Sequence, residues 1–200
     1  MAIFDSLTFA ERAKQLSNPE GAAGLAVAEW LNERNRQGNA QAVAALGITS
    51  GNRVLEIGFG NGRTVPDVIA QAAAVHYIGI DISPTMVKEA LRFNAELVAA
   101  GRVSFHLGSA ERMPFAQASF DRVFSIGVIH FWADAARPLA EVRRVLRSGG
   151  VSQMGCIHPR TTPDFARPDR AAGFSEVNVE TVEIDSPPPK RYVFQITARA

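Results

Sequence analysis

The spacing of its apolar runs constrains this chain more than any other feature. Short runs at Arg53–Ile57, His76–Ile80, Val103–Leu107, Arg122–Gly127 and Val151–Ile157 are separated by segments long enough for a crossover helix. Runs that are apolar almost throughout predict strands buried on both faces, and helical crossovers between them predict a mostly parallel sheet wound right-handed. The fold class read from this rhythm is α/β. Local punctuation supports the helices. Thr64 ahead of Pro66 and Asp67 reads as an N-cap, a first-turn proline and a capping acid for a helix over 65–74. Ser83 before Pro84 repeats that logic, and Val87, Leu91, Ala95 and Val98 then form a stripe that Gly101 ends. Leu139, Val142, Val145 and Leu146 make another stripe near 137–147, closed by Gly149 and Gly150. Upstream, Ala22, Ala23, Ala26, Val27, Trp30 and Leu31 fall at helical spacing, and a second apolar set at Val43, Ala44 and Leu46 stops at Gly47. After Gly173 the period changes to two: Phe174–Val182 and Tyr192–Ala198 alternate around the turn DSPPPKR, which predicts a terminal antiparallel hairpin.

Bulk properties bound the rest. A length of 200 residues suits one domain with a substantial core. With 46% hydrophobic and 20% charged residues the chain has the profile of a folding protein, and a net charge of +1 without a basic block offers no field for nucleic acid. Cys156 stands alone, which excludes an internal disulfide and any cysteine-cluster metal site; His76, His106 and His158 have no ligand-like spacing either, so no metal is expected. The stretch MAIFDSLTFAERAKQL has acid and polar residues where a signal peptide needs an apolar core, and no run approaches the roughly 20 residues that span a bilayer. A cytoplasmic protein without an integral membrane segment is the expectation.

The chemistry is concentrated in VLEIGFGNGRTV, residues 54–65, where the first strand gives way to the first crossover. That junction is the usual ligand crevice of such sheets. A dinucleotide fingerprint needs a third glycine at position 63, which is Arg63, so a nicotinamide-dependent oxidoreductase is disfavoured. There is no G-K-[ST] ending to hold a nucleoside triphosphate and its magnesium. Glycine lets backbone approach a ligand closely, and Glu56 just upstream sets a negative charge beside it. A ligand with cationic groups and no phosphate suits that pairing. S-adenosylmethionine, with an ammonium and a sulfonium, is such a ligand.

Five segments in order then resemble the class I S-adenosylmethionine-dependent methyltransferases, over roughly residues 50–157. VLEIGFGNG resembles the family's first motif, with Glu56, Gly58, Phe59, Gly60 and Gly62 as expected cofactor contacts. YIGIDISPTMV resembles the second strand and its acidic end, which makes Asp81 the residue that holds the ribose hydroxyls, Ile82 the cover of the adenine, and Met86 a further contact. GSAERMPF resembles the third motif and sets Ser109, Ala110 and Glu111 at the adenine edge; Ser109 replaces the common Asp, though a hydroxyl can still accept a hydrogen bond. FDRVFSIGVIHFW resembles the fourth strand and the loop where the methionine end meets substrate, adding Ile126; LRSGG resembles the turn before strand five. The phrases SIGVIHFW and GSAERMPF look most like the branch that includes ubiquinone and menaquinone biosynthesis methyltransferases. The resemblance implies a Rossmann-like seven-stranded sheet in the order 3-2-1-4-5-7-6, strand seven antiparallel, with helices on both faces. One methyltransferase domain over 1–200 is expected, comprising a helical cap (1–50), a cofactor-binding core (51–157) and a segment plus hairpin (158–200). Residues 158–172, with their prolines, replace the family's usual fifth helix and are expected to leave the site open there.

The implied activity is methyl transfer to a small-molecule acceptor, at oxygen, nitrogen or carbon. A sulfonium methyl is already activated, so the protein has mainly to align the acceptor and exclude water. Where the acceptor needs a base, His130 after strand four is the candidate, with His158 or Tyr192 behind it. Trp30 and the N-terminal helices are expected either to cover the cofactor or to belong to the core. A module that binds the cofactor without turnover is the alternative from another class. Nucleic-acid methylation is disfavoured, because SIGVIH stands where an N-P-P-[YF] motif would lie.

Overall fold

The structure, a computed structural model, describes the backbone of residues 6–158, 173–184 and 191–199, and the side chains of 6–155, 173–180 and 196–199. Two helices open the chain, α1 (Phe9–Ser17) and α2 (Gly21–Ala45). The core follows as β1 (Arg53–Ile57), α3 (Val65–Ala70), β2 (His76–Asp81), α4 (Pro84–Phe93), α5 (Ala95–Ala99), β3 (Val103–Leu107), β4 (Phe120–Ile126), a 3-10 turn (Ile129–Phe131), α6 (Ala136–Val145), β5 (Leu146–His158), β6 (Ser175–Ile184) and β7 (Arg191–Arg199). All seven strands form one sheet in the order β3-β2-β1-β4-β5-β7-β6. β1 pairs in parallel with β2 and β4, while β7 runs antiparallel to β5 and β6. The sheet order, the lone antiparallel direction and the terminal hairpin are those expected.

Every residue of β1 and β2 beyond the first is buried, because helices cover both faces. On one face Val54, Tyr77 and Phe124 pack with Val43 of α2, Val65 and Val68 of α3 and Ala90 of α4. On the other, Leu55, Ile78, Val123 and Met154 pack with Leu139, Val142 and Val145 of α6. The strand order reverses between β1 and β4, so the loops leaving their carboxyl ends diverge and open a crevice there.

Local readings meet three corrections. The helix expected over 65–74 spans Val65–Ala70, and Thr64 makes no capping bond; its φ of −77° and ψ of −19° are already helical. The stripe from Val87 to Val98 is not one helix but α4 and α5, broken at Asn94, and Leu91 is 40% exposed. At the break the Asn94 side-chain amide donates to the carbonyls of Gly62 (3.1 Å) and Ala90 (3.0 Å), while its backbone N–H keeps the helical bond to Ala90 (3.0 Å). The LRSGG turn lies inside β5: Leu146 already pairs with Phe120, and the register shifts before Arg122 meets Val151. Ser83 does cap α4, its hydroxyl accepting from the Met86 N–H at 3.2 Å. The expected opening at 158–172 and the side chains of Cys156, His158 and Tyr192 lie outside the described residues. Among the described residues no helix is long and apolar enough to cross a membrane.

Candidate functional site

A cavity of about 680 Å³ occupies the crevice above β1, β2 and β4, within the ~300–1,000 Å³ range of small-ligand sites. Its floor is the glycine loop. Gly60 has a φ of +58°, a conformation that L side chains resist, and a Cβ there would meet no protein atom within 4 Å. Bare backbone therefore borders the cavity. The Gly60 N–H donates to Asp81 Oδ2 at 3.0 Å, and the Ser83 N–H donates to Oδ1 at 2.9 Å. Two backbone donors thus aim the carboxylate where β2 ends, and they lower its pKa against the larger effect of burial, which raises it.

Glu56 is the second buried acid on the wall, 3% exposed. The Tyr77 hydroxyl donates to its Oε2 at 2.7 Å and the Thr64 hydroxyl to the same atom at 3.0 Å. Burial pushes this carboxyl up to about 7, with a further rise from the Asp81 charge; the Tyr77 and Thr64 bonds oppose it. This explains why Thr64 is no cap: its hydroxyl serves the buried carboxyl instead. Tyr77 was not singled out by the sequence motifs, yet its signal was there. Register pairs Tyr77 with Val54 and Gly79 with Glu56, so Tyr77 and Glu56 share one face of the sheet, two residues apart.

Of the cofactor contacts expected from sequence, Glu56, Gly58, Phe59, Gly60, Asp81, Ile82, Met86, Ser109, Ala110, Glu111 and Ile126 all line this cavity, and so does His130. Ile82 is 52% exposed there, an apolar side chain with half its surface uncovered. Phe59 borders the cavity with its ring in the core, 4.8 Å from that of Phe105. The Ser109 hydroxyl accepts from the Glu111 N–H at 3.2 Å. His130 is exposed on the 3-10 turn, its ring 4.1 Å from that of Phe131. Gly62 stands apart. It is absent from the cavity wall; at φ +75° it packs against α4, where a Cβ would come within 2.9 Å of Ala90 Cβ.

The N-terminal helices line the cavity and also supply core. Val27 and Val43 of α2 are buried, while Trp30, Leu31, Asn32, Arg34 and Asn39 line the cavity. A polar clamp fastens α2 to the glycine loop: Asn32 donates to Asn61 (2.8 Å), Asn61 donates to Glu29 (3.1 Å), and Arg63 pairs with the same carboxylate (2.8 Å). Arg63, standing where a dinucleotide fingerprint would have glycine, also lies 3.9 Å above the Phe93 ring. No local pattern marks this clamp.

Comparison with known proteins agrees with the geometry. Residues 55–153 match the family model described as a methyltransferase domain. The uncharacterized methyltransferase YdaC of Bacillus subtilis (strain 168) is 30% identical over 156 residues, 73% of this chain and 84% of that protein. A chloroplastic 2-methyl-6-phytyl-1,4-hydroquinone methyltransferase of Oryza sativa subsp. japonica is 36% identical over 108 residues, 54% of this chain but 30% of that protein. YdaC apart, the chain spans roughly a third to a half of the length of the curated relatives it matches. Among solved structures, phosphoethanolamine N-methyltransferase 2 of Haemonchus contortus, in complex with phosphomonomethylethanolamine and S-adenosylhomocysteine, superposes with a TM-score of 0.73 at 17% identity, covering 94% of this chain and 60% of that one.

Proposed function

The chain belongs to the methyltransferase family, and from that premise we propose that it transfers a methyl group from S-adenosylmethionine to a small-molecule acceptor. The observation that carries this reading is the junction of β1 and β2, where bare backbone at Gly60 bonds to the buried Asp81 carboxylate on the wall of an open cavity. Two buried acids without a phosphate-binding lysine motif suit a cationic nucleoside and disfavour a pyrophosphate.

Asp81 would hold the ribose hydroxyls, Ile82 would cover the adenine, Ser109, Ala110 and Glu111 would border its edge, and Glu56, Gly58 and Gly60 would face the methionine end. When bound, S-adenosylmethionine supplies an electrophilic methyl group on sulfur. The chain's own part is to orient the acceptor and exclude water, for which residues 1–50 act as a cap over the core 51–157. Trp30 and Leu31 share the cavity wall with Phe131 and Trp132, which supports that role. His130 sits on the same wall and would accept a proton from a hydroxyl or acidic carbon of the acceptor.

Calorimetry with S-adenosylmethionine and with NADH tests the cofactor, and formation of S-adenosylhomocysteine across phenol, quinol, amine and lipid acceptors tests the transfer. Heat with the methyl donor alone and turnover with one acceptor class are expected. Heat with NADH alone would refute the assignment; cofactor binding without turnover on any acceptor would leave a binding module in its place.

A further inference from the structure

The two buried carboxyls on the cavity wall have no cation of their own. Glu56 is 3% and Asp81 7% exposed, and among the described residues neither takes part in an ion pair. Their partners are neutral donors: the hydroxyls of Tyr77 and Thr64 for Glu56, and the backbone N–H groups of Gly60 and Ser83 for Asp81. Two like charges withdrawn from water without a counterion are unfavourable, and the ordinary resolution is that one of them keeps a proton. The bonding says which. Asp81 accepts from backbone donors fixed by the fold, whereas both bonds to Glu56 come from hydroxyls, which can turn to accept from a protonated carboxyl as readily as they donate to an ionised one. The other charged or titratable groups on this wall are Arg34 of α2, Arg63 of the glycine loop, Glu111 and His130; around Glu56 itself, β2 contributes Tyr77 and Asp81, α3 the neutral Thr64 hydroxyl, and β4 the apolar Phe124.

We infer that Glu56 is a proton-coupled charge sensor: arrival of a cationic nucleoside in the cavity drives the proton off the Glu56 carboxyl to solvent buffer, and the Tyr77 and Thr64 hydroxyls then hold the carboxylate that faces the ligand's positive charge. This rests on the reading of the cavity as a site for S-adenosylmethionine and goes beyond it. Glu56 then sets how cofactor affinity depends on pH, and Tyr77 is a positioning residue acting through it. Because the carboxyl is held up to about 7 by burial, binding should be about tenfold weaker at pH 6 than at pH 8.5.

The test is calorimetry with S-adenosylmethionine, which carries the ammonium and the sulfonium, in pairs of buffers that differ in ionisation enthalpy. Release of about 0.9 proton per molecule at pH 6, about half at pH 7 and almost none at pH 8.5 is expected. Glu56→Gln should bind with no dependence on buffer at any of these pH values. Tyr77→Phe removes a bond that favours the ionised form, so its release should persist at pH 8, where that of the unmodified protein has faded. Binding by the unmodified protein without buffer dependence at pH 6 would overturn the coupling alone, and undiminished release from Glu56→Gln would overturn the assignment to Glu56 and place it on another group of the wall. No heat at all from the unmodified protein would overturn the functional reading and the coupling together.

Discussion

Replacing Glu56 by glutamine should change the pH dependence of stability of the ligand-free protein in a direction opposite to that of most carboxylates. In the unfolded chain Glu56 loses its proton near its ordinary value of 4.5; in the folded protein burial holds that proton to about 7. Between the two values the folded state binds more protons than the unfolded one, so this residue's contribution to stability is fully present below 4.5 and is lost as pH rises through 7. At about 1.4 kcal/mol for each pH unit separating the two values, the loss is about 3 kcal/mol. Glutamine keeps the size of the side chain and an acceptor for the Tyr77 hydroxyl but does not titrate. The assay is urea unfolding of both proteins at several values from pH 5 to pH 8, followed by circular dichroism. The stability of the unmodified protein relative to Glu56→Gln should fall by about 2.5 kcal/mol across that range, a difference of about 5–10 °C in Tm for a chain of this size. Titrating groups remote from Glu56 are common to both proteins and cancel, which leaves Asp81 and Tyr77 as the coupled neighbours. A difference that stays flat, or that grows with pH in favour of the unmodified protein, would refute the argument that this acid is buried without a compensating cation.

Three further outcomes follow from other parts of the site. Asp81→Asn should weaken nucleoside binding by about 10- to 100-fold, the loss expected for hydrogen bonds to a charged acceptor; an unchanged Kd by calorimetry would remove the ribose assignment. His130→Asn should lower kcat by about 100-fold or more with little change in KM where the acceptor must lose a proton, and unaltered turnover would end its candidacy as base. Gly79→Ala should destabilise the fold by about 1–3 kcal/mol through overpacking, because the new Cβ would lie 2.5 Å from Cδ1 of the Phe59 ring beneath the glycine loop. Urea unfolding would show it; a change under about 0.5 kcal/mol, within the range of a neutral surface substitution, would mean that the ring is not wedged there.

Much of this architecture is local information and could be read from the residues themselves. Apart from Glu56, runs such as VLEI and YIGI declare strands buried on both faces because a side chain meets apolar surroundings whichever way it points. Ser83-Pro84 announces a helix start because a cap and a fixed φ act within one turn. Asp81, as an acid closing an apolar strand, is conspicuous because an unpaired acid there is expensive unless something needs it. The glycine loop and the acids were legible for the same reason, each being an exception to its neighbours.

What the chain order could not convey is which distant groups answer those exceptions. Thr64 shows why: a hydroxyl ahead of proline and an acid looks the same whether it caps a helix or turns to a buried carboxyl, and only the position of Glu56 on β1 decides it. Glu29 and Arg63 are 34 residues apart and meet only because α2 crosses the glycine loop. The amino-acid sequence by itself determined the order of strands and helices, the acid on each of two strands and the glycines between them, since these follow from periodicity and backbone freedom over a few residues. Tertiary structure alone decided that the two acids share one cavity, that hydroxyls rather than cations hold Glu56, and that the N-terminal helix clamps the loop. Desolvation and hydrogen bonding depend on distance in space, which register and helix docking set.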